Sequence, residues 1–196
     1  MQVEVLSTVQ AQQVEGPLLI TPQVFGDQRG FFYESWNQSR FDQAVGSSMM
    51  FVQDNHSRSS RGVLRGLHYQ LEPESQGKLV RCTLGAIYDV AVDLRQGSGT
   101  FGQWVGAELS AENKQQLWVP VGFAHGFVTL SDQAEVLYKA SGFWSKSSER
   151  SIRWDDPDIA IAWPLERLDG SQPLLAEKDA KAPTFAEARA AGDMFS

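Results

Sequence analysis

Chemistry has few places to reside in this chain. Its 196 residues include three histidines, His56, His68 and His125. His68 and His125 stand in glycine-flanked, strand-like contexts, RGLHYQ and GFAHGFV. Either one alone is most simply a hydrogen-bonded structural histidine. Two of them beside glycines, which let a backbone or ligand approach closely, point to a site. Segment 51–81 carries the densest set of polar side chains, with Gln53, Asn55, Arg58, Arg61, Arg65, His68, Lys78 and Arg81. Such a local basic patch suits an anion, since arginine can grip a phosphate through two parallel hydrogen bonds. Arg58 and Arg61 are expected to be ordinary surface charges.

The spacing also invites a metal reading. Gly62, His68 and Glu74 resemble the first motif of metal-binding cupins, and Pro120, Gly122 and His125 resemble the second. Those cages use three histidines and a glutamate around an open position. Gln70, a poor ligand, occupies the slot of the second histidine, so the barrel would be shared and the metal lost. There is no GxSxG nucleophile elbow, no phosphate loop and no GxGxxG. Serine hydrolysis, nucleoside triphosphate hydrolysis and hydride transfer by a bound dinucleotide are therefore disfavoured.

The elements that must position these residues read mainly as short strands. Alternating runs cover 17–25, 30–36, 62–69, 78–84, 86–94, 103–109, 125–130 and 134–140, separated by turn chemistry such as GDQRG and RQGSGTFG. Their recurrence without long helices between them predicts an all-β jelly roll rather than βαβ units. Two short helices are expected, one capped by Ser39 and ended by Gly46, the other over 185–192. In 86–94, Tyr88, Val90, Val92 and Leu94 share one face, and Ile87, Asp89, Ala91 and Asp93 share the other. The acidic face is either solvated or, in a ligand-binding barrel, the lining.

Hydrophobic residues make up 42% and charged residues 21%, which excludes a disordered or fibrous chain. The net charge of −7 repels nucleic acid and anionic membranes, so neither is an expected partner. Cys82 is the only cysteine, which rules out an intrachain disulfide and a cysteine zinc site. The first 25 residues lack a leader pattern, and no apolar run is long enough for a transmembrane helix. The expectation is a cytoplasmic protein with one domain over 1–196: a core at about 17–165 and a C-terminal segment, 166–196, closing over the site.

Six colinear stretches carry a resemblance that spans about 17–183. They are VFGDQRGFFYESWNQ (24–38), FVQDNHSRSSRGVLRGLHYQ (51–70), QGKLVRC (76–82), DVAVDLR (89–95), LSAENKQQLWVPVGFAHGFVTLS (109–131) and AEVLYKA (134–140). The chain resembles the dTDP-4-dehydrorhamnose 3,5-epimerases. The resemblance implies a cupin-type jelly roll, a homodimer, no metal or organic cofactor, and a dTDP-sugar substrate. It implies that His68 is the general base, Asp179 the carboxylate that orients it, and Tyr138 the general acid on the opposite face of the sugar. Lys78 and Arg65 match residues near the C4 carbonyl and the diphosphate. Phe25, Arg29, Glu34, Gln53, Asn55, His125, Glu149 and Lys178 match positions lining the nucleotide and sugar pocket. Trp144 stands where the family more often has a tyrosine stacked on thymine.

The residue types suit that chemistry. A C4 ketone makes the protons on C3 and C5 acidic, yet still far above the pKa of imidazole. A cation at O4 must therefore stabilise the enolate while a histidine removes the proton. The implied reaction is epimerisation at both carbons of dTDP-4-keto-6-deoxyglucose. The alternatives are a single-site epimerase or keto-isomerase of the same sugar nucleotide, a metal-dependent cupin, and a non-catalytic sugar-nucleotide binding module. Arg65 and His68 fall on opposite faces of a regular strand, so a shared pocket requires a bulge near Gly66.

Overall fold

The computed structural model describes residues 1–196. The chain runs through β1 (Gln2–Ser7), β2 (Gln13–Thr21), β3 (Val24–Asp27), β4 (Gly30–Tyr33), α1 (Gln38–Val45), β5 (Gln53–Ser60), β6 (Leu64–Gln70), β7 (Lys78–Leu84) and β8 (Ala86–Asp93). It continues through β9 (Trp104–Ser110), β10 (Gln116–Val119), β11 (Phe123–Thr129), β12 (Gln133–Ala140) and β13 (Glu149–Ser151) to a 3₁₀ turn (Leu165–Leu168), α2 (Glu177–Ala180) and α3 (Phe185–Ala190). One sheet has the order β1-β2-β10-β7-β12-β5, the second β13-β6-β11-β8-β9, and β3 pairs with β4 alone. Every strand pairing in these sheets is antiparallel. The fold is the jelly-roll class that the short alternating runs predict.

Three apolar layers follow from the alternation. Between the sheets lie Val80, Cys82, Ile87, Ala91, Leu117, Phe127 and Val136. Outside the five-stranded sheet, Leu64, Leu67, Val90 and Val92 meet Ile152, Trp163 and, from the C-terminal segment, Leu168, Phe185 and Met194. Outside the six-stranded sheet, Leu18, Leu79 and Trp118 are covered by Phe41 of α1. Most of the C-terminal segment is thus a packing layer, and α2 also packs on β6. In β8 the acidic face points inward, with Asp89 and Asp93 both fully buried.

Local differences from expectation have physical reasons. Asn37, not Ser39, caps α1, because its side chain accepts from the Arg40 amide at 3.1 Å. Gly46 ends the helix in the left-handed region, as expected. The run 17–25 is divided between β2 and β3. β5 escapes the hydrophobic pattern because its alternation is polar: Gln53, Asn55, Ser57 and Ser59 are its more buried positions. Thr184 caps α3 through a full capping box with Glu187.

Candidate active site

The interior between the sheets is where most of the chemistry-bearing side chains meet. His125 on β11 lies directly opposite His68 on β6. On β12, Tyr138 lies between Asn55 of β5 and Val80 of β7, while Ala140 lies between Gln53 and Lys78. Gln53, Asn55, Lys78 and Tyr138 therefore share the inner face of the six-stranded sheet, opposite the two histidines.

The β6–β11 register pairs His125 with His68, then Phe127 with Arg65, so three steps on β6 answer two on β11. This bulge brings Arg65 and His68 to the same face. Arg65 Nε donates to Ser59 Oγ at 3.1 Å, on the inner face of β5. Gly66 makes the bulge possible: its φ is +126°, and a Cβ there would lie 2.6 Å from Gly126 Cα and 2.8 Å from the His125 carbonyl oxygen. Gly66→Ala is expected to cost about 3 kcal/mol and to lower Tm by roughly 6–12 °C, measurable by calorimetry.

His68 Nε2–H donates to Asp179 Oδ1 at 2.6 Å, and Asp179 is 2% exposed. Burial pulls the His68 pKa below its ordinary value, outweighing the hydrogen bond and charge of Asp179, which pull it up. Lys178 and Lys78 lower it further. The ring is thus neutral at pH 7, with one nitrogen held by a carboxylate and the other available as a base. Burial lowers Lys78 to about 8, against the opposing charges of Asp89 and Glu149. Its Nζ lies 6.0 Å from the Tyr138 ring centroid. Burial raises the Tyr138 phenol, partly offset by Arg65, so it stays protonated at neutral pH.

At the rim, Lys178 Nζ is 3.2 Å from Glu149 Oε1. Trp144 donates its backbone N–H to Gln53 Oε1 at 3.0 Å and leaves its ring exposed. His125 Nε2–H donates to Asp89 Oδ1 at 2.7 Å, while Asp89 Oδ2 has no partner. Asp89, the buried partner of His125, was not singled out in the sequence; sharing a face with Ile87 and Ala91 was its one signal. Asp179 has no local signal at all. Arg58 and Arg61 pair with Glu135 and Asp132 on the surface. Gln70, in the slot of a cupin metal ligand, gives its amide to backbone groups of Glu74, Phe143 and Ser145.

Phe25, Arg29 and Glu34 are not brought to this interior. Arg29 pairs with Asp27, and Glu34 with Arg40 at 3.3 Å. Phe25, Phe32 and Glu34 line a cleft with Trp36 and Phe41 on the outer side of the six-stranded sheet. Phe25, Phe31 and Phe32 are all exposed.

A family profile described as dTDP-4-dehydrorhamnose 3,5-epimerase matches residues 11–187. The chain belongs to the dTDP-4-dehydrorhamnose 3,5-epimerase family. This makes it an isomerase of the dTDP-rhamnose type, on an all-β jelly roll. A family member from Pseudomonas aeruginosa is 61% identical over 171 residues, covering 87% of this chain and 92% of that one. A solved structure of the Mycobacterium tuberculosis epimerase superposes with a TM-score of 0.93 at 39% identity, covering 100% of this chain and 94% of that one. The epimerase of Legionella pneumophila, solved in complex with dTDP-4-keto-L-rhamnose, gives a TM-score of 0.84 at 49% identity, covering 93% of each chain. No helix is long and apolar enough to cross a membrane.

Proposed function

We propose that the protein epimerises dTDP-4-keto-6-deoxyglucose at C3 and C5 through an enolate, with His68 as base, Tyr138 as acid and Lys78 at the developing oxyanion. The observation that carries this reading is the opposition of His68, with its buried Asp179, to Tyr138 and Lys78 across the barrel interior. Inversion needs a base on one face of the sugar and a donor on the other, and the two sheets supply one each. The neutral His68 takes the α-proton. Lys78, still cationic at pH 7, stabilises charge on O4. The protonated Tyr138 delivers a proton to the opposite face. Asp179 keeps the histidine in one tautomer and stabilises the imidazolium that forms.

In this reading Arg65, Gln53, Asn55, His125, Glu149 and Lys178 bind the sugar and diphosphate, and Trp144 stacks on the thymine. The nearest competitor is inversion at one carbon, and the 61% identity to a 3,5-epimerase favours two. The direct test is conversion of purified dTDP-4-keto-6-deoxyglucose, followed by the ring proton couplings of the product. Recovery of unchanged sugar would remove the reading. A lone buried cysteine, with no disulfide, suits the reducing cytoplasm where we place the enzyme.

The hairpin β3–β4 supports a homodimer. Phe25, Arg29 and Glu34 face away from the interior of their own chain, and a hairpin carrying three exposed phenylalanines is poorly placed in water. Reaching into the site of a second copy explains both facts. If so, two inactive variants complement each other. Mixed and exchanged His68→Asn and Arg29→Ala proteins are expected to regain about a quarter of wild-type sites, since half of random dimers are mixed and each holds one intact site. Assay of the mixture against the separate variants checks this, and no gain on mixing would overturn the shared site.

A further inference from the structure

Gln70 follows His68 by two residues on β6, so its side chain leaves the sheet on the same face. It is 4% exposed, yet none of its hydrogen bonds goes to a catalytic side chain. Its Nε2 donates to the carbonyls of Glu74 and, at 3.1 Å, Phe143. Its Oε1 accepts from the Ser145 amide at 2.8 Å. The peptide groups on both sides of Trp144 are therefore held by one buried amide. The Trp144 amide itself is held by Gln53, whose own Nε2 donates to Asn55 Oδ1 at 3.0 Å. Burying an amide side chain is favourable only when its polar atoms are satisfied, and here two of the three groups that satisfy it belong to one short loop, residues 143–145, the third being the Glu74 carbonyl. That loop turns its backbone inward and its aromatic side chains outward, with Trp144 57% exposed.

We propose that Gln70 is a positioning residue for nucleotide binding: it pins residues 143–145 so that the Trp144 ring stands as a preformed platform for the base. A platform held in place before binding spares the ligand the cost of ordering a loop. The position that would carry a metal ligand in a related barrel is used here to fix a loop. The proposal rests on the reading that Trp144 stacks on thymine.

The test is the affinity for dTDP, by titration calorimetry, of wild type, Gln70→Met, Trp144→Ala and the double variant, with kcat and KM measured beside it. Methionine keeps the volume of Gln70 and removes its hydrogen bonds. Trp144→Ala is expected to raise the dTDP Kd about tenfold or more, as loss of base stacking does. Gln70→Met is expected to raise it about tenfold too, with the change falling on KM rather than kcat. In the Trp144→Ala background, Gln70→Met should add less than about twofold, because the two act through one contact. Gln70→Leu, also uncharged and of similar volume, serves if the methionine variant does not fold, and is expected to give the same rise. An unchanged Kd in the Gln70 variants beside a raised one in Trp144→Ala overturns the proposal and leaves the stacking intact. Equal losses in both backgrounds overturn it as well. An unchanged Kd in Trp144→Ala removes the stacking reading itself.

Discussion

Replacing His68 by Asn is expected to lower kcat by about 10³–10⁴-fold and to abolish exchange of the substrate's C3 and C5 protons with solvent. Tyr138→Phe is expected to lose inversion to a similar degree and to keep exchange. The difference follows from which face each residue serves. With the base intact and the acid gone, His68 still removes an α-proton, and Lys78 still holds the enolate. The imidazolium then returns a proton, drawn from solvent, to the face it came from. Substrate in heavy water would therefore gain deuterium without changing configuration. With the base gone, no enolate forms and neither event occurs. Asp179→Asn should fall between these, since the histidine remains but loses the carboxylate charge that raises its basicity. Proton NMR of substrate recovered from each variant reads exchange and configuration together. Exchange surviving in His68→Asn would reassign the base.

Lys78→Ala is expected to cost about 10²–10³-fold in kcat, with little change in the affinity for dTDP. Its signature is in the pH profile. In the proposed mechanism Lys78 acts as a cation, and burial lowers it to about 8, so activity should fall as the pH rises through that value. In the same mechanism His68 is the neutral base, with its pKa lowered by burial, so activity should fall on the acid side only below the ordinary histidine range. The two limbs make a bell with its plateau near neutrality. Tyr138 cannot supply the alkaline limb near 8, because its phenol is raised above its ordinary value. Lys78→Arg should keep part of the activity and move the alkaline limb beyond 10, since a guanidinium holds its proton throughout. A limb that stays near 8 in Lys78→Arg would assign it to another group.

The parts of the fold legible in the sequence were those whose alternation is apolar. The run 78–84 became β7, and 134–140 became most of β12, because Val80, Cys82, Ala134 and Val136 alternate into the core between the sheets. β5 was illegible for the reason that makes it useful: its inward positions are Gln53, Asn55, Ser57 and Ser59, which line a polar interior and break the hydrophobic period. The bulge at Gly66 was readable from the requirement that Arg65 and His68 share a face, and the register shift lies at that point. Asp179 could not be found from local pattern, since Glu-Lys-Asp-Ala-Lys reads as a solvated turn. Its burial comes from tertiary placement of α2 against β6, which no local periodicity encodes. Phe25, Arg29 and Glu34 show the opposite limit, where resemblance grouped residues that one chain keeps apart.

The most direct test of base and acid on opposite sheets acting at both carbons is proton NMR of dTDP-4-keto-6-deoxyglucose incubated with wild-type protein in heavy water. The expected result is loss of signal at both C3 and C5, with product deuterated at the two inverted centres. Exchange and inversion at C3 alone would make the protein a single-site epimerase, and exchange at neither carbon would contradict the roles given to His68, Tyr138 and Lys78 together.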